Sequence, residues 1–95
     1  MENSLTQTLQ ALADPTRRKI LQMLGERNLS AGDIGAAFDM KAPSISHHLT
    51  VLKNAGLVLA ERQGQNIVYS LNTTVMQEFM QEMRQLFRVG ENGNA

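Results

Sequence analysis

A mainly α-helical domain with one small β-hairpin, in the order ααααββα, is predicted by three observations. Between Pro43 and Gly56, the residues Ile45, Leu49 and Leu52 recur at i, i+4 and i+7, the spacing of one helix face. From Val58 the period drops to two. Val58 and Ala60 alternate before the turn Gln63-Gly64-Gln65-Asn66, and Ile67, Tyr69 and Leu71 alternate after it. The helical period then returns over 73–88, with Val75, Met76, Phe79, Met80, Met83, Leu86 and Phe87 on a broad apolar arc.

Each element has its own start and stop signals. Ser4 with Gln7 resembles a capping box, and Leu5, Leu9 and Leu12 form one stripe, which predicts a first helix over 4–13. Asp14-Pro15 restarts the chain: Asp14 caps a second helix and Pro15 takes its first position, where a missing N–H costs nothing. Ile20, Leu21 and Leu24 face inward, and Gly25 closes that helix. Ser30 and Asp33 open a short third helix whose buried side is Ile34, Ala37 and Phe38. Asp39-Met40-Lys41 is the turn into the fourth helix, which carries Pro43 in its first turn. Gly56 ends it as a left-handed stop, with Leu57 ready to pack back.

Two short helices joined by about three residues make a helix-turn-helix, and a hairpin directly behind the second is the wing of a winged helix. The outer face of the fourth helix carries Ser44, Ser46, His47, Thr50 and Lys53, with no carboxylate among them. Uncharged donors and cations on a helix anchored from behind suit the major groove of double-stranded DNA. Lys41 at the helix start belongs to the same DNA-binding set, as do Arg62 and Gln65 on the wing. Asn66 lies beside them at the tip.

Composition sets the bounds. The chain has 95 residues, few aromatics, no Trp and no Cys. One winged helix-turn-helix domain over 1–89 is expected, with a flexible tail at 90–95. Without cysteine there are no disulfides, thiolate metal sites or thiol nucleophiles. No apolar run approaches the roughly 18 residues of a membrane span, and no basic stretch leads into an apolar block as in a secretory signal. A soluble, cytoplasmic protein without a cofactor is expected. Net charge is zero, but Lys41, Lys53 and Arg62 against Glu61 give residues 41–72 a local +2. Such a weakly charged protein binds DNA well only by specifying its site or doubling its contacts, because phosphate contacts supply most non-specific affinity. The wide arc on the last helix supplies the means. Leu5, Leu9 and Leu12, together with Met76, Phe79, Met80, Met83 and Phe87, exceed what so small a monomer can bury, and they are the expected homodimer interface.

The chain resembles the ArsR/SmtB family of bacterial winged-helix repressors. The residues that carry the resemblance are L-A-D-P-T-R-R-K-I-L at 12–21, S-I-S-H-H-L-x-x-L-K-x-A-G-L-V at 44–58 and R-x-G-x-x-x-x-Y-S-L at 62–71. The S-I-S-H-H-L run and S-L-N-T-T-V at 70–75 are most similar to the SdpR-type autorepressors of that family. The resemblance implies a homodimer joined through the first and last helices, bound to an inverted-repeat operator and blocking transcription. Metal-sensing members place cysteines on the helix that here spans 30–39, or Asp and His there with His and Glu on the last helix. This chain has L-S-A-G-D-I-G-A-A-F at 29–38 and no His on its last helix, so no metal is expected.

Several residues admit two readings. His47 and His48 point about 100° apart on a helix, so they do not share a metal easily. His47 faces outward, whereas His48 borders the apolar stripe as a half-buried spacer. Arg17, Arg18 and Lys19 form either a DNA-facing patch or the solvated flank of the second helix, and the flank is favoured. Glu78 and Glu82 lie one turn apart without a second ligand type, as an exposed helix face would. Met76, Met80 and Met83 suit an adaptable ligand pocket, but dimer packing accounts for them more simply. An enzyme is not expected, since Ser44, Ser46 and His47 lie on a convex surface rather than in a pocket. The remaining alternatives are a metal- or small-molecule-responsive repressor of the same fold, and a protein-interaction winged helix that does not bind DNA. An inducer, if one exists, is a small molecule or a protein.

Overall fold

In the computed structural model, which describes residues 4–88, the chain forms α1 (Ser4–Ala11), α2 (Pro15–Leu24), β1 (Leu29–Ser30), α3 (Ala31–Ala36), α4 (Ala42–Asn54), β2 (Val58–Gln63), β3 (Asn66–Leu71) and α5 (Thr73–Leu86). The four helices, the hairpin and the last helix follow the expected order. The expected tail at 90–95 lies outside the described residues.

Start signals legible in the sequence close as hydrogen bonds. Asp14 Oδ2 accepts the Arg17 N–H at 3.1 Å, and Ser30 Oγ accepts the Asp33 N–H at 3.1 Å. Asn72 Oδ1 does the same for Val75 at 3.3 Å, a cap on α5 not anticipated from the sequence. Each satisfies one of the amides that a helix start leaves without a partner. The stop of α4 is a Schellman motif. The Leu57 N–H reaches Leu52 O at 3.0 Å, and the Gly56 N–H reaches Lys53 O at 2.9 Å. Gly56 has φ +78°, as that turn requires.

The core sits where α2, α3, α4 and the sheet meet. Ile20, Ile34, Leu52, Leu57 and Val58 are its fully buried side chains, with Leu21, Leu24, Leu29, Ile45 and Leu49 around them. The sheet is antiparallel in the order β1-β3-β2, pairing Leu29 with Tyr69 and Val58 with Leu71. That register puts Leu29, Val58, Tyr69 and Leu71 on one face, towards the helices.

Four expectations change. A third strand, β1, joins the hairpin; two residues are too few to show a period of two. The hairpin loop is Gly64-Gln65, since Gln63 and Asn66 already pair. Gly64 has φ +64° at the first loop position, which favours a two-residue turn that follows the strand twist. Ala37 is exposed rather than buried, because α3 ends at Ala36 with Ala37 as its cap. Finally, α1 stops at Ala11 and turns Thr8 and Ala11 to the interior, where Thr8 Oγ1 donates to Ser4 O at 3.0 Å. The leucine stripe is split: Leu12 packs on the core, while Leu9 is exposed.

Two stability measurements check these details. Gly56→Ala puts a Cβ into the left-handed region, a strain of about 1–2 kcal/mol. The new Cβ would meet Val75 Cγ2 at only 3.9 Å, an ordinary contact. Urea unfolding should therefore show that loss with an unchanged fold by circular dichroism.

The second check concerns Asp14. Desolvation pushes its carboxyl upward, but the N–H groups of Arg17 and Thr16 and the charges of His48 and Arg17 hold it below its ordinary 3.8. A depressed native pKa means the ionised form stabilises the fold, fully above the unfolded value and less as pH falls through the native one. The stability gap between wild type and Asp14→Asn should hold steady from neutral pH to about pH 5 and close below 3.8.

Candidate nucleic-acid interface

The same helix that fills the core presents its opposite side to solvent. Ile45, Leu49 and Leu52 are buried, while Lys41, Ser44, Ser46, His47, Thr50 and Lys53 are all exposed. Arg62 and Gln65 on the wing are exposed as well. Among the described residues, none of these eight side chains makes a hydrogen bond or ion pair within the chain. Donors and cations with no internal partner are free to bind a ligand without first breaking a contact. The outer face of α4 carries no carboxylate to repel phosphate; on the wing, Glu61 is exposed next to Arg62.

The two histidines separate as their spacing requires. His47 is exposed, and His48 turns inward with 14% of its side chain accessible; the rings are tilted with centroids 5.8 Å apart. His48 is more than a spacer. Its Nδ1 lies 3.2 Å from Arg17 Nη1 and 3.9 Å from Asp14 Oδ2.

Arg17 and Arg18 do more than form a flank of the second helix, though Arg18 is exposed. Arg17 Nε donates to Ala11 O at 2.7 Å and Nη2 to Gln10 O at 3.0 Å, while Arg18 Nη1 donates to Leu12 O at 2.7 Å. Both guanidinium groups bond carbonyls at the end of α1, where the last turn leaves acceptor capacity free; Gln10 O also takes the Ala13 N–H at 3.1 Å. This role was not legible, because it depends on α2 folding back beside the end of α1.

The apolar arc on α5 stays largely uncovered. No residue of α5 is buried; Met80 is 62% and Phe87 66% exposed, and Leu5, Phe79 and Met83 are half-covered. Met76 and Val75, at the start of the helix, pack on the core of their own chain. An open cleft of about 370 Å³ lies between α3, α4 and β3, bounded by Gly32, Gly35, Met40, Ile45, Ser46 and Tyr69. Among the described residues, no three His, Cys, Asp or Glu side chains come together as a metal site. No described helix is long and apolar enough to cross a membrane.

Comparison with known proteins agrees with this geometry. Residues 14–59, from the cap of α2 to the start of the wing, match the bacterial regulatory proteins of the arsR family. The chain is 46% identical to the transcriptional repressor SdpR of Bacillus subtilis over 88 residues, 93% of this chain and 98% of that protein. An ArsR-like transcriptional regulator from Rhodococcus superposes with a TM-score of 0.79 at 28% identity, covering 98% of this chain and 85% of that one. A homodimeric winged helix-turn-helix DNA-binding domain from Mycobacterium bovis superposes with a TM-score of 0.74 at 26% identity, covering 92% and 82%. With a winged helix whose outer α4 face is exposed and a sequence that matches along nearly its whole length, this chain belongs to the arsR family of bacterial regulatory proteins: it is a DNA-binding transcriptional regulator and not an enzyme.

Proposed function

We propose that the chain is a cytoplasmic, homodimeric repressor that reads an inverted-repeat operator through α4 and the wing, without using a metal. The observation that carries this reading is the unpartnered, carboxylate-free outer face of α4, with the exposed Arg62 and Gln65 of the wing beside it. Ser44, Ser46 and His47 sit early in the helix, where helix-turn-helix proteins meet base edges. Lys41, Thr50, Lys53, Arg62 and Gln65 surround them as backbone contacts that set position rather than sequence.

Repression is supported by the likeness to SdpR, which is named a repressor. Dimerisation is supported by the homodimeric domain from M. bovis and by an α5 none of whose residues is fully buried in its own subunit. It also meets the demand made by a net charge of zero, since each half-site adds its contacts to the other's. Metal independence is supported by the residues at 29–38 and on α5, which offer no ligand set that zinc prefers.

The experiment is a footprint of the pure protein on the DNA upstream of its own gene, with and without micromolar zinc. Two protected half-sites with centres about 34–36 Å apart are expected, unchanged by zinc. Absence of protection, or its loss on adding zinc, would refute the reading. On the same DNA, Ser46→Ala and His47→Ala should each lose about 1–3 kcal/mol of binding, as removal of a base contact does. Wild-type affinity in both would show that α4 does not read the site.

The dimer is tested by Met80→Glu, which places a charge on the exposed arc far from the reading face. Sedimentation should show more monomer, and operator titration should show weaker binding in parallel. A folded monomer that kept full operator affinity would overturn the pairing.

A further inference from the structure

One polar junction joins α1, α2 and α4, and the DNA contacts proposed above leave it unused. Arg17 projects from α2 with its guanidinium between two neighbours. On one side it donates to the Gln10 and Ala11 carbonyls that end α1, at 3.0 and 2.7 Å. On the other it meets His48 Nδ1 on α4 at 3.2 Å. Among the described residues it is the only side chain hydrogen-bonded to both of those helices. Asp14 closes the junction, accepting the Arg17 N–H at 3.1 Å and lying 3.9 Å from His48 Nδ1.

The chemistry makes this a rigid joint. A guanidinium is planar, carries donors only and holds them at fixed angles. Its bonds to α1 and to His48 therefore fix a direction as well as a distance. Because Arg17 cannot accept, the Arg17–His48 bond forms only when His48 Nδ1 is the acceptor, with the ring's proton on Nε2. His48 immediately follows His47, which faces outward from the same turn. Whatever sets the roll of α4 at His48 also sets where His47 points.

We propose that Arg17 and His48 are positioning residues for operator recognition. The bridge holds α4 at a fixed roll against α1, the helix expected at the dimer interface, so that both half-sites are met in phase. The proposal rests on the dimeric, operator-reading function. It assigns His48 no DNA contact and gives Arg17 a role that its place in a basic run does not suggest.

The test uses the full chain and two duplexes, one with both footprinted half-sites and one with a single half-site. His48→Leu removes the acceptor and leaves the Arg17 bonds to α1 intact; His48→Gln keeps an acceptor; Arg17→Lys keeps the charge and loses the fork. His48→Leu and Arg17→Lys should each weaken binding to the two-site duplex about tenfold and to the single site by less than about twofold. His48→Gln should stay near wild type, and the double variant Arg17→Lys/His48→Leu should be no weaker than either single one, because they cut the same link. Sedimentation should show the dimer unchanged. In the free protein, nitrogen NMR of His48 should report the Nε2–H tautomer in wild type and a mixture in Arg17→Lys.

Equal losses on both duplexes would mean that His48 touches DNA itself, and multiplied losses would mean that the two residues act separately; either overturns the proposal, as does wild-type binding in all variants. A mixed tautomer in wild type overturns the bridge with or without DNA. A wild-type protein that bound the two duplexes equally would instead refute the operator reading, leaving the tautomer to decide the bridge.

Discussion

Everything in this fold depends on the burial of one side of α4. Ile45, Leu49 and Leu52 are almost completely excluded from water, with Leu52 at 0% exposure, and each remaining core element contributes a side chain against them or beside them. Ile20 arrives from α2, Ile34 from α3, and Leu57 and Val58 from the chain that leaves α4. A helix pinned in this way must keep that side turned inward. Its other side can then be given to a ligand in a set orientation, and apolar packing behind the helix becomes precision in front of it.

The turn at Gly56 extends that control to the wing. The chain leaves α4 through the left-handed glycine, buries Leu57 and enters β2 at Val58 without a spacer. Asn72, at the far end of the hairpin, returns to donate its N–H to Leu57 O at 2.9 Å. Both ends of the hairpin are thus tied to the C-terminal end of α4. Arg62 and Gln65 are carried by the framework that carries Ser46 and His47, so the two parts of the face share one origin.

Elements with local causes were legible in the sequence. Asp14-Pro15, Ser30 with Asp33, and Gly56 with Leu57 each announce themselves through bonds made within a few residues, and the structure forms all of them. The exposed face of α4 was legible because the buried stripe leaves no other choice. Features set by distant partners were not. β1 exists only because β3 lies beside it, and two residues carry no period. Thr8 faces the interior because of the angle at which α1 returns to the core, which no local pattern encodes. The Arg17–His48 contact joins positions 31 residues apart, and a basic run read in isolation suggests only solvent or phosphate.

The bare flank of α5 has a further consequence. A 14-residue helix with no fully buried residue draws little protection from the fold around it beyond Val75 and Met76 at its start. Its later turns therefore belong to the part of the molecule that opens most easily, where amide protons exchange with solvent long before the core lets go. Once two arcs cover each other, opening those turns requires separating the subunits as well, and mass action makes their stability rise with protein concentration. A newly made chain would then be most exposed to proteolysis while it is scarce and protected once it is abundant. Cellular level would be sensed by the helix itself, through nothing more than the water on its apolar side.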